Sequence, residues 1–242
     1  MSYVIFLPCR SGSKRVKNKS TKKFLKFKLG LFEIKINQLI KLNVDKIIVS
    51  TNIKDIFKYL KKLNSKKIIL DKRPNNLCKS STTTDDLIKY VPRIVKNGHV
   101  IWTHVTSPLF DANDYRKAIN IYKKKIKLGS HDSLMSVNDI KKFIWFDNKP
   151  LNYATKKTKW PFTQEVKPIK EIDSAIFINS IENYKKYNDR IGKKPFLFEN
   201  YGFANIDIDD EKDFRIAELI YKKFKGWIII NIKKNFHHLT IN

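Results

Sequence analysis

The stretch IFLPCRSGSKRVKNKSTKKF, residues 5–24, joins an apolar segment directly to a loop rich in lysine and serine. The apolar half is typical of a buried β-strand, and Gly12 allows backbone N–H groups of the loop to approach a bound anion. In an open α/β sheet, ligands bind beyond the carboxyl ends of the strands. The stretch therefore predicts a first strand that leads into a binding loop for an anionic ligand.

Short apolar segments alternate with longer amphipathic segments through the first 137 residues. The predicted strands are SYVIFLP, DKIIVST, KKIILD, HVIWTHV and DSLMSV. The segments with helical periodicity are LFEIKINQLIKLN, IKDIFKYLKKLN, TTDDLIKYVPRIVKNG and DANDYRKAINIYKKKIK. Strands that alternate with helices predict an α/β, Rossmann-like fold of three layers, with a mostly parallel sheet between two layers of helices.

The alternation stops after Val137. Residues 138–170 contain three prolines and several aromatic residues without helical periodicity, so we expect an arm that protrudes from the sheet. Two strand-like segments, EIDSAIFIN and YGFANIDID, follow, and then a helix over DEKDFRIAELIYKKFKG. With 242 residues and 42% apolar content, the chain is expected to form a single domain, residues 1–242, that includes the arm.

The chain carries 50 Lys and Arg residues against 23 Asp and Glu, a formal net charge of +27. Clustered cations bind polyanions such as nucleic acids. Only seven of the basic residues are arginine, however, and the lysines are spread over nearly every amphipathic segment. We therefore expect solvated, lysine-rich helix faces and no nucleic-acid partner, with polyanion binding or an acidic substrate as the alternatives.

Membrane insertion and metal binding by cysteine are not predicted. No apolar run approaches the roughly 18 to 20 residues that cross a bilayer. Cys9 and Cys78 are isolated and lack the spacing of a zinc site or a disulfide framework. These features together predict a cytoplasmic protein.

The loop after the first predicted strand contains Arg10, Ser13, Lys14 and Lys19. Arg10 and Lys19 are suited to neutralise a triphosphate and the charge that grows on a pyrophosphate leaving group. The loop matches neither GxxxxGK[ST] nor GxGxxG, so neither a P-loop nor a dinucleotide fingerprint is supported. Taken alone, the loop is equally consistent with a solvated lysine-rich turn.

A second candidate site is the segment NIDIDD near the C-terminal helix. On a strand, Asp207 and Asp209 would face the same side, roughly 6.6 Å apart along the chain. Two carboxylates in this arrangement suit Mg²⁺, which keeps several waters and completes its shell with substrate phosphates. The alternative is that Asp209 or Asp210 only caps the following helix.

Seven short motifs occur along the chain in the order found in one enzyme family. They are PCRSGSKRVKNKS, IIVSTN, RPNNL, THVTSPL, DSLMSV, SAIFI and NIDIDDEKDFRIAE. The chain resembles the acylneuraminate cytidylyltransferase family, which comprises the CMP-sialic acid synthetases and related enzymes for CMP-pseudaminic and CMP-legionaminic acid. The resemblance covers residues 3–222, and several weak motifs in one order are much more specific than any one of them.

The resemblance implies a nucleotidyltransferase fold and a CTP-dependent reaction, in which an acceptor oxygen attacks the α-phosphorus and pyrophosphate leaves. It assigns catalysis to Arg10, Lys19 and Asp209, and Mg²⁺ binding to Asp207 and Asp209. It also implies that the arm at 138–170 forms the contact of a homodimer. The residues that it implies for CTP binding are Arg10, Ser13, Lys14, Lys19, Arg73, Thr83 and Thr84.

The sequence departs from this family mainly at the residues implied to bind the acceptor, which are His104, Thr106, Gln164 and Asp173. His104 stands where the family usually has glutamine, and two interpretations stay open: a donor or base for the acceptor, or a buried histidine with its hydrogen bonds satisfied. Asp173 lies in DSA, where the family has NGA, and Thr163 stands where sialic-acid synthetases commonly have an arginine suited to a sugar carboxylate. The resemblance implies a nonulosonic-acid-like acceptor, of the sialic, pseudaminic or legionaminic acid type, for surface glycan biosynthesis. The departures leave open a Kdo-like sugar, a phosphonate, or a non-catalytic nucleotide- or polyanion-binding protein.

Overall fold

The computed structural model describes residues 1–154 and 159–237. The strands are β1 (Tyr3–Cys9), β2 (Lys46–Thr51), β3 (Ile68–Lys72), β4 (His99–Thr103), β5 (Ser133–Ile140), β6 (Trp145–Phe146), β7 (Lys149–Pro150), β8 (Ile169–Ser180) and β9 (Pro195–Glu199). The helices are α1 (Gly30–Leu39), α2 (Lys54–Leu63), α3 (Thr84–Ile94), α4 (Ala112–Lys127), α5 (Ile181–Tyr187) and α6 (Glu211–His237). Single 3-10 turns lie at Asn75–Leu77 and Thr163–Glu165.

Seven of these strands form one sheet in the order β3-β2-β1-β4-β8-β5-β9. The pairs among β3, β2, β1 and β4 are parallel, as is the pair of β5 with β9. Strand β8 runs antiparallel to both of its neighbours, β4 and β5. The prediction of a mostly parallel sheet is therefore confirmed.

Helices cover both faces of the sheet, which confirms the three-layer prediction. Because side chains alternate along a strand, Ile5 and Leu7 of β1 face one side while Val4 and Phe6 face the other. The first side packs against α1, α2, α4 and the start of α6, and the second packs against α3 and α5.

Side-chain caps define where α3 and α4 begin. Thr83 and Asp86 form a capping box at the start of α3, and Asp111 and Asp114 form one at the start of α4. In each box, a side-chain oxygen accepts a backbone N–H that the helix itself leaves without a partner. The caps hold the loops that precede these helices in defined positions near the carboxyl edge of the sheet.

The prediction of a strand over YGFANIDID was wrong. Residues 205–210 form no strand, because the Ile208 N–H donates to the Thr106 carbonyl in the loop after β4. The backbone N–H groups of Asp209 and Asp210 both donate to the Asp213 carboxylate. The ninth strand is instead PFLFE, a segment that the apolar pattern did not single out.

The predicted arm is shorter than 138–170. Asn138 pairs with Glu171 and Ile140 pairs with Ile169, so both ends of the predicted arm belong to strands β5 and β8 of the main sheet. The excursion covers residues 141–168 and contains the small β6–β7 hairpin. Residues 155–158 of the predicted arm and 238–242 of the predicted domain lie outside the described residues.

Within the residues that the structure describes, none of the helices has the length and apolar character needed to cross a membrane.

Candidate active site

A cavity of about 460 Å³ opens at the carboxyl ends of β1 and β4. One side, which we call the loop wall, comprises residues 10–20, and the other, the strand-end wall, comprises residues 104–106. The residues that line the cavity are Pro8, Arg10, Ser13, Lys14, Arg15, Lys19, Ser20, Ser80, His104, Val105 and Thr106. The cavity lies where ligands bind in open α/β sheets.

The loop wall is folded by contacts among its own polar groups. Gly12 has a φ of +76°, a conformation that side-chain-bearing residues rarely adopt. The Ser13 hydroxyl accepts the Lys19 N–H at 2.8 Å and closes the loop. Among the described residues, the Arg10 guanidinium donates to the carbonyls of Ser11 and Gly12 and contacts no carboxylate. The loop therefore presents a cation, Arg10, that no acid in the described part of the chain contacts.

Lys19 connects the loop wall to the segment that carries the acids. Its Nζ donates to the Ile208 carbonyl at 2.8 Å and to the Asp209 carbonyl at 3.2 Å, and lies 3.7 Å from the Asp209 carboxylate. Burial lowers the pKa of Lys19, while the nearby Asp209 acts in the opposite direction. The loop and the acidic segment, which are 189 residues apart in sequence, are thus one unit of structure.

Arg15 is a member of the site that sequence reasoning missed. Its guanidinium donates to the Asp209 carboxylate at 2.7 Å, and both side chains are more than half exposed. The lysine-rich loop contains many cations of similar appearance in sequence, so the pattern gave no means to single out Arg15. Because of this ion pair, Arg15 would compete with a metal ion for the Asp209 carboxylate.

The two aspartates of the predicted metal site differ in their surroundings. Asp207 has one buried carboxylate oxygen, Oδ1, without a hydrogen-bond partner, and the Thr106 hydroxyl donates to its side chain. Burial raises the pKa of Asp207. Asp209 is exposed next to it, whereas Asp210 accepts the N–H groups of Lys212 and Asp213 and caps α6. Helix capping therefore accounts for Asp210 and leaves Asp207 and Asp209 for another role.

The carboxylates of Asp207 and Asp209 suit Mg²⁺ better than they suit a metal ion whose ligands all come from the protein. Among the described residues, no group of three or more His, Cys, Asp or Glu side chains could hold a metal ion. Two carboxylates, one of them with an unpartnered buried oxygen, supply part of an oxygen shell. Mg²⁺ commonly takes one or two protein carboxylates and completes its shell with water and substrate phosphates.

At the strand-end wall, His104 is in contact with two donors. The Trp102 indole N–H lies 2.9 Å from His104 Nε2, and an Arg190 nitrogen lies 3.3 Å from the same atom. Burial, and then the nearby cations Arg190 and Lys35, lower the pKa of His104 to about 3. The ring is therefore neutral at physiological pH, and Arg190 joins the set of residues that sequence reasoning missed.

Comparison with known proteins decides the family. A model of the cytidylyltransferase family matches residues 4–141, more than half of the chain. The chain belongs to the cytidylyltransferase family. Members of this family are nucleotidyltransferases that use CTP. A search of curated proteins by sequence gives no match.

Solved structures with the same fold support this assignment of architecture. A CMP:2-keto-3-deoxy-manno-octonic acid synthetase complexed with CTP is 13% identical, with a TM-score of 0.64 over 92% of this chain and 99% of that one. The 4-diphosphocytidyl-2C-methyl-D-erythritol synthase of Anaerococcus prevotii is 14% identical, with a TM-score of 0.62 over 91% and 96%. The bifunctional IspDF of Campylobacter jejuni is 16% identical, with a TM-score of 0.60 over 89% of this chain, which spans 54% of that protein.

The other residues predicted for CTP binding lie away from the lining of the cavity in this cytidylyltransferase. Arg73 is 3% exposed and donates to the Ser50 carbonyl at 2.7 Å and to its hydroxyl at 3.2 Å. The Thr83 hydroxyl is occupied by the capping box of α3, and Thr84 is the first residue of that helix. Ser80, which sequence reasoning did not select, is the residue of this segment that lines the cavity.

Two residues predicted to bind the acceptor do not line the cavity. Asp173 is 6% exposed, and its carboxylate accepts from the hydroxyl of Ser136, the amide of Asn200 and the backbone N–H of Ala175. Because protein groups satisfy both of its oxygens, this placement does not favour direct contact with an acceptor. Gln164 is exposed on the excursion from the sheet.

A fully buried lysine supports the strand-end wall from behind. Lys35 of α1 donates to the Ser107 carbonyl at 2.8 Å, the Phe110 carbonyl at 3.1 Å and the Tyr115 hydroxyl at 3.0 Å. Burial lowers the pKa of Lys35 to about 7. The side chain thereby ties α1 to the loop that follows His104 and Thr106, a contact that the amphipathic pattern of α1 could not indicate.

Proposed function

We propose that this cytidylyltransferase transfers CMP from CTP to a nonulosonic-acid-like sugar, with release of pyrophosphate, and serves surface glycan biosynthesis in the cytoplasm. The observation that carries the proposal is the cavity lined by Arg10, Lys14 and Lys19, of which Lys19 lies beside Asp207 and Asp209. The motifs resemble those of CMP-sialic acid synthetases, and the similar structure of a CMP-Kdo-type synthetase was determined with CTP bound.

The charges of the loop wall suit the triphosphate. Arg10 contacts no carboxylate of the described residues, and Lys14 lines the same cavity, so both are available to phosphate oxygens. Lys19 is anchored to the acidic segment and can hold the α-phosphate side of CTP next to the acceptor. Bound Mg²⁺, held by Asp207 and Asp209, would neutralise phosphate charge and lower the pKa of the acceptor hydroxyl. Catalysis then depends on positioning and on charges that are fixed before the reaction.

The acceptor is proposed to be an acid because the resemblance implies one, and the cationic lining of the cavity is compatible with it. Four of its lining residues, Arg10, Lys14, Arg15 and Lys19, are cationic, and none of its lining residues is acidic. His104 and Thr106 form the wall opposite the loop and are proposed to contact the acceptor. A Kdo-like sugar or a phosphonate is the second candidate, since Thr163 replaces the arginine expected for sialic acid and a Kdo-type synthetase shares the fold.

We propose that residues 141–168 form the contact of a homodimer. Trp160 is 65% exposed and Phe162 is 77% exposed, and Trp160 packs on Phe143 and Tyr153 of the same arm. Exposed aromatic groups that cluster on a projection are typical of a protein interface. We propose that Gln164 lies near the cavity of the partner subunit in this dimer. Light scattering should give the mass of a dimer, and Trp160→Ser with Phe162→Ser should give a monomer.

The direct test is pyrophosphate release from CTP and Mg²⁺ across a panel of nonulosonic acids, Kdo and small phosphonates. Release with CTP and one acceptor, but not with ATP, GTP or UTP, would support CTP as the nucleotide and would also identify the acceptor. Release with Kdo or a phosphonate alone would replace the nonulosonic acid by the second candidate. If no acceptor in the panel causes pyrophosphate release and CTP does not stabilise the protein against heat, the proposal is overturned. Binding of arbitrary DNA that weakens with salt would indicate a polyanion site instead.

A further inference from the structure

The strand-end wall contains a small cluster of hydrogen-bond donors that determines the tautomer of His104. His104 Nε2 is approached by the Trp102 indole nitrogen at 2.9 Å and by an Arg190 nitrogen at 3.3 Å. Indole and guanidinium nitrogens donate hydrogen bonds and cannot accept them. His104 Nε2 must therefore carry a lone pair, and the ring proton must be on Nδ1.

Arg190 is held in this cluster by stacking. Its guanidinium carbon lies 3.7 Å from the centre of the Phe177 ring and 5.2 Å from that of Trp102. Among the described residues, Arg190 forms no ion pair with a carboxylate, and its hydrogen bond to a side chain is the one to His104. Asp189 and Asp85 act on this half-buried cation from a distance, so the aromatic faces and the His104 lone pair supply the direct contacts that a paired carboxylate usually makes.

The charges around His104 also oppose a second proton on its ring. The ionisable groups that act on it are Arg190, from the loop after α5, and Lys35, from α1, and both are cationic when protonated. No acid is among the groups that act on the ring. A proton on Nε2 would also face two N–H donors instead of an acceptor. The neutral form with Nδ1–H is the state that satisfies both contacts of Nε2.

We propose that His104 is a fixed hydrogen-bond donor to the acceptor through Nδ1–H, and that Arg190 and Trp102 are the positioning residues that hold it in this tautomer. The inference deepens the proposed function and rests on it for the identity of the ligand. Nδ1 makes no hydrogen bond to protein among the described residues, and His104 lines the cavity. The partner must be an oxygen that accepts, such as a carboxylate, carbonyl or hydroxyl oxygen of the acceptor.

The proposal excludes the role of general base for His104. A base needs a free lone pair directed at the proton that it removes, and the one lone pair of this ring is directed at Trp102 and Arg190. The proposal also explains how histidine can stand where the resembling family has glutamine. An Nδ1–H group and a glutamine amide N–H are both donors.

The first experiment measures the tautomer in the free protein and needs no substrate. Long-range ¹H–¹⁵N spectra of ¹⁵N-labelled protein distinguish Nδ1–H from Nε2–H, and the signal of His104 is assigned by its loss in His104→Gln. We expect a neutral Nδ1–H form between pH 5.5 and 8. An Nε2–H form, or a ring that becomes charged near pH 6.5, would overturn the proposal. Since no substrate is present, this result is independent of whether the proposed function is correct.

The second experiment removes the positioning residue. Arg190→Gln removes the second cause of the lowered pKa of His104 and leaves burial, the larger cause, in place, so this pKa should rise only in part. The kcat/KM for the acceptor should fall about tenfold, and the loss should be larger at acidic pH. The KM for CTP should not change. Arg93→Gln, on the exposed face of α3, removes the same charge and is the matched control. Equal pH profiles for Arg190→Gln and Arg93→Gln, in variants with similar thermal unfolding, would show that Arg190 does not position His104.

The third experiment separates a donor from a base. His104→Gln restores an N–H donor without a basic nitrogen, whereas His104→Ala removes both. Under the proposal, His104→Gln keeps most of kcat and His104→Ala loses about tenfold or more in kcat/KM for the acceptor. If both variants lose kcat equally, the donor role is wrong.

Discussion

The two walls of the cavity are built in opposite ways. The loop wall holds Arg10 and Arg15 near the surface, shaped by a few contacts within residues 10–20 and to Asp209. The strand-end wall holds His104 and Thr106 in front of buried polar groups, each with several defined partners. The loop wall therefore presents accessible charges, whereas the strand-end wall is held in place by buried hydrogen bonds.

This difference suits the two walls to different substrates, the triphosphate and the acceptor. A triphosphate is flexible and strongly charged, so accessible cations can follow it and neutralise it. An acceptor must be placed with one oxygen in line with the α-phosphorus, which requires groups that cannot move. We therefore expect substitutions at the loop wall to act through charge and salt, and those at the strand-end wall to act through geometry and stability.

The largest effect is expected where the two walls meet, at Asp209. Asp209→Asn should lower kcat at saturating CTP and Mg²⁺ by about 100-fold or more, because it removes a carboxylate of the proposed metal site. The fold should be unaffected, since Asp209 is exposed and does not cap α6. Steady-state kinetics and circular dichroism measure the two results.

The matched control for this variant is Asp210→Asn. It removes the same charge from the next residue, and asparagine replaces aspartate well at a helix N-cap. Asp210 accepts the N–H groups of Lys212 and Asp213, so its role is structural. The metal assignment predicts near-normal turnover for Asp210→Asn. Similar losses in both variants would instead indicate a general effect of negative charge at this edge.

The loop wall was largely predictable from the sequence, and the strand-end wall was not. Arg10, Ser13, Lys14 and Lys19 line the cavity as a short, continuous motif after a strand, and such motifs can be recognised directly. Asp209 meets this loop through Lys19. The order of strands and helices followed from the alternation of apolar and amphipathic segments, because parallel sheets are buried on both faces.

The strand-end wall depends on contacts between residues far apart in sequence. Arg190 reaches His104 across 86 positions, and Lys35 reaches Ser107 across 72. Neither pair leaves a periodic or local pattern. Asp173 illustrates the converse error, because its position in a motif suggested the acceptor, whereas burial commits its oxygens to Ser136 and other protein groups.

The second prediction tests the support of the strand-end wall by Lys35. Burial lowers the pKa of Lys35 to about 7 in the folded protein, whereas a lysine in the unfolded chain has a pKa of about 10.4. Between these values the unfolded state binds more protons, so the free energy of unfolding rises with pH. From pH 7 to pH 9, this single group should stabilise the protein by about 2 kcal/mol.

Lys35→Met should remove this dependence. Urea unfolding at pH 7 and pH 9 gives the difference in stability between the wild type and the variant, and that difference should shift by about 2 kcal/mol in favour of the wild type at the higher pH. Lys67→Met is the control, because the Lys67 side chain is half-buried and donates to a single carbonyl, that of Leu42. Parallel pH profiles for the wild type and Lys35→Met would show that the buried lysine does not titrate in this range.

The third prediction concerns the accessible charge at Arg15. Its ion pair with Asp209 joins two side chains that are 64% and 55% exposed, and such pairs contribute roughly 0.2–1 kcal/mol. Arg15→Gln should therefore lower the Mg²⁺ concentration for half-maximal activity by about twofold to fivefold, because it removes a competitor for the carboxylate. Lys17→Gln, exposed in the same loop, should leave it unchanged. If Arg15→Gln instead raises only the KM for CTP, Arg15 serves the phosphates and not the metal site.

The smallest effect is expected on the arm, at Thr163. This residue is exposed and lies outside the cavity lining of its own subunit, so we expect it to influence the acceptor through an arm that reaches a second copy of the chain. Thr163→Arg should then shift relative kcat/KM by a few-fold towards acceptors that carry a carboxylate, of the order expected for one exposed charge pair. Thr163→Gln adds length without charge and should leave the acceptor profile unchanged. A shift that is equal for both variants would assign the effect to size, and a shift that persists in a monomeric arm variant would place Thr163 near the cavity of its own subunit. An unchanged profile for Thr163→Arg would separate the arm from acceptor recognition and leave that task to the strand-end wall alone.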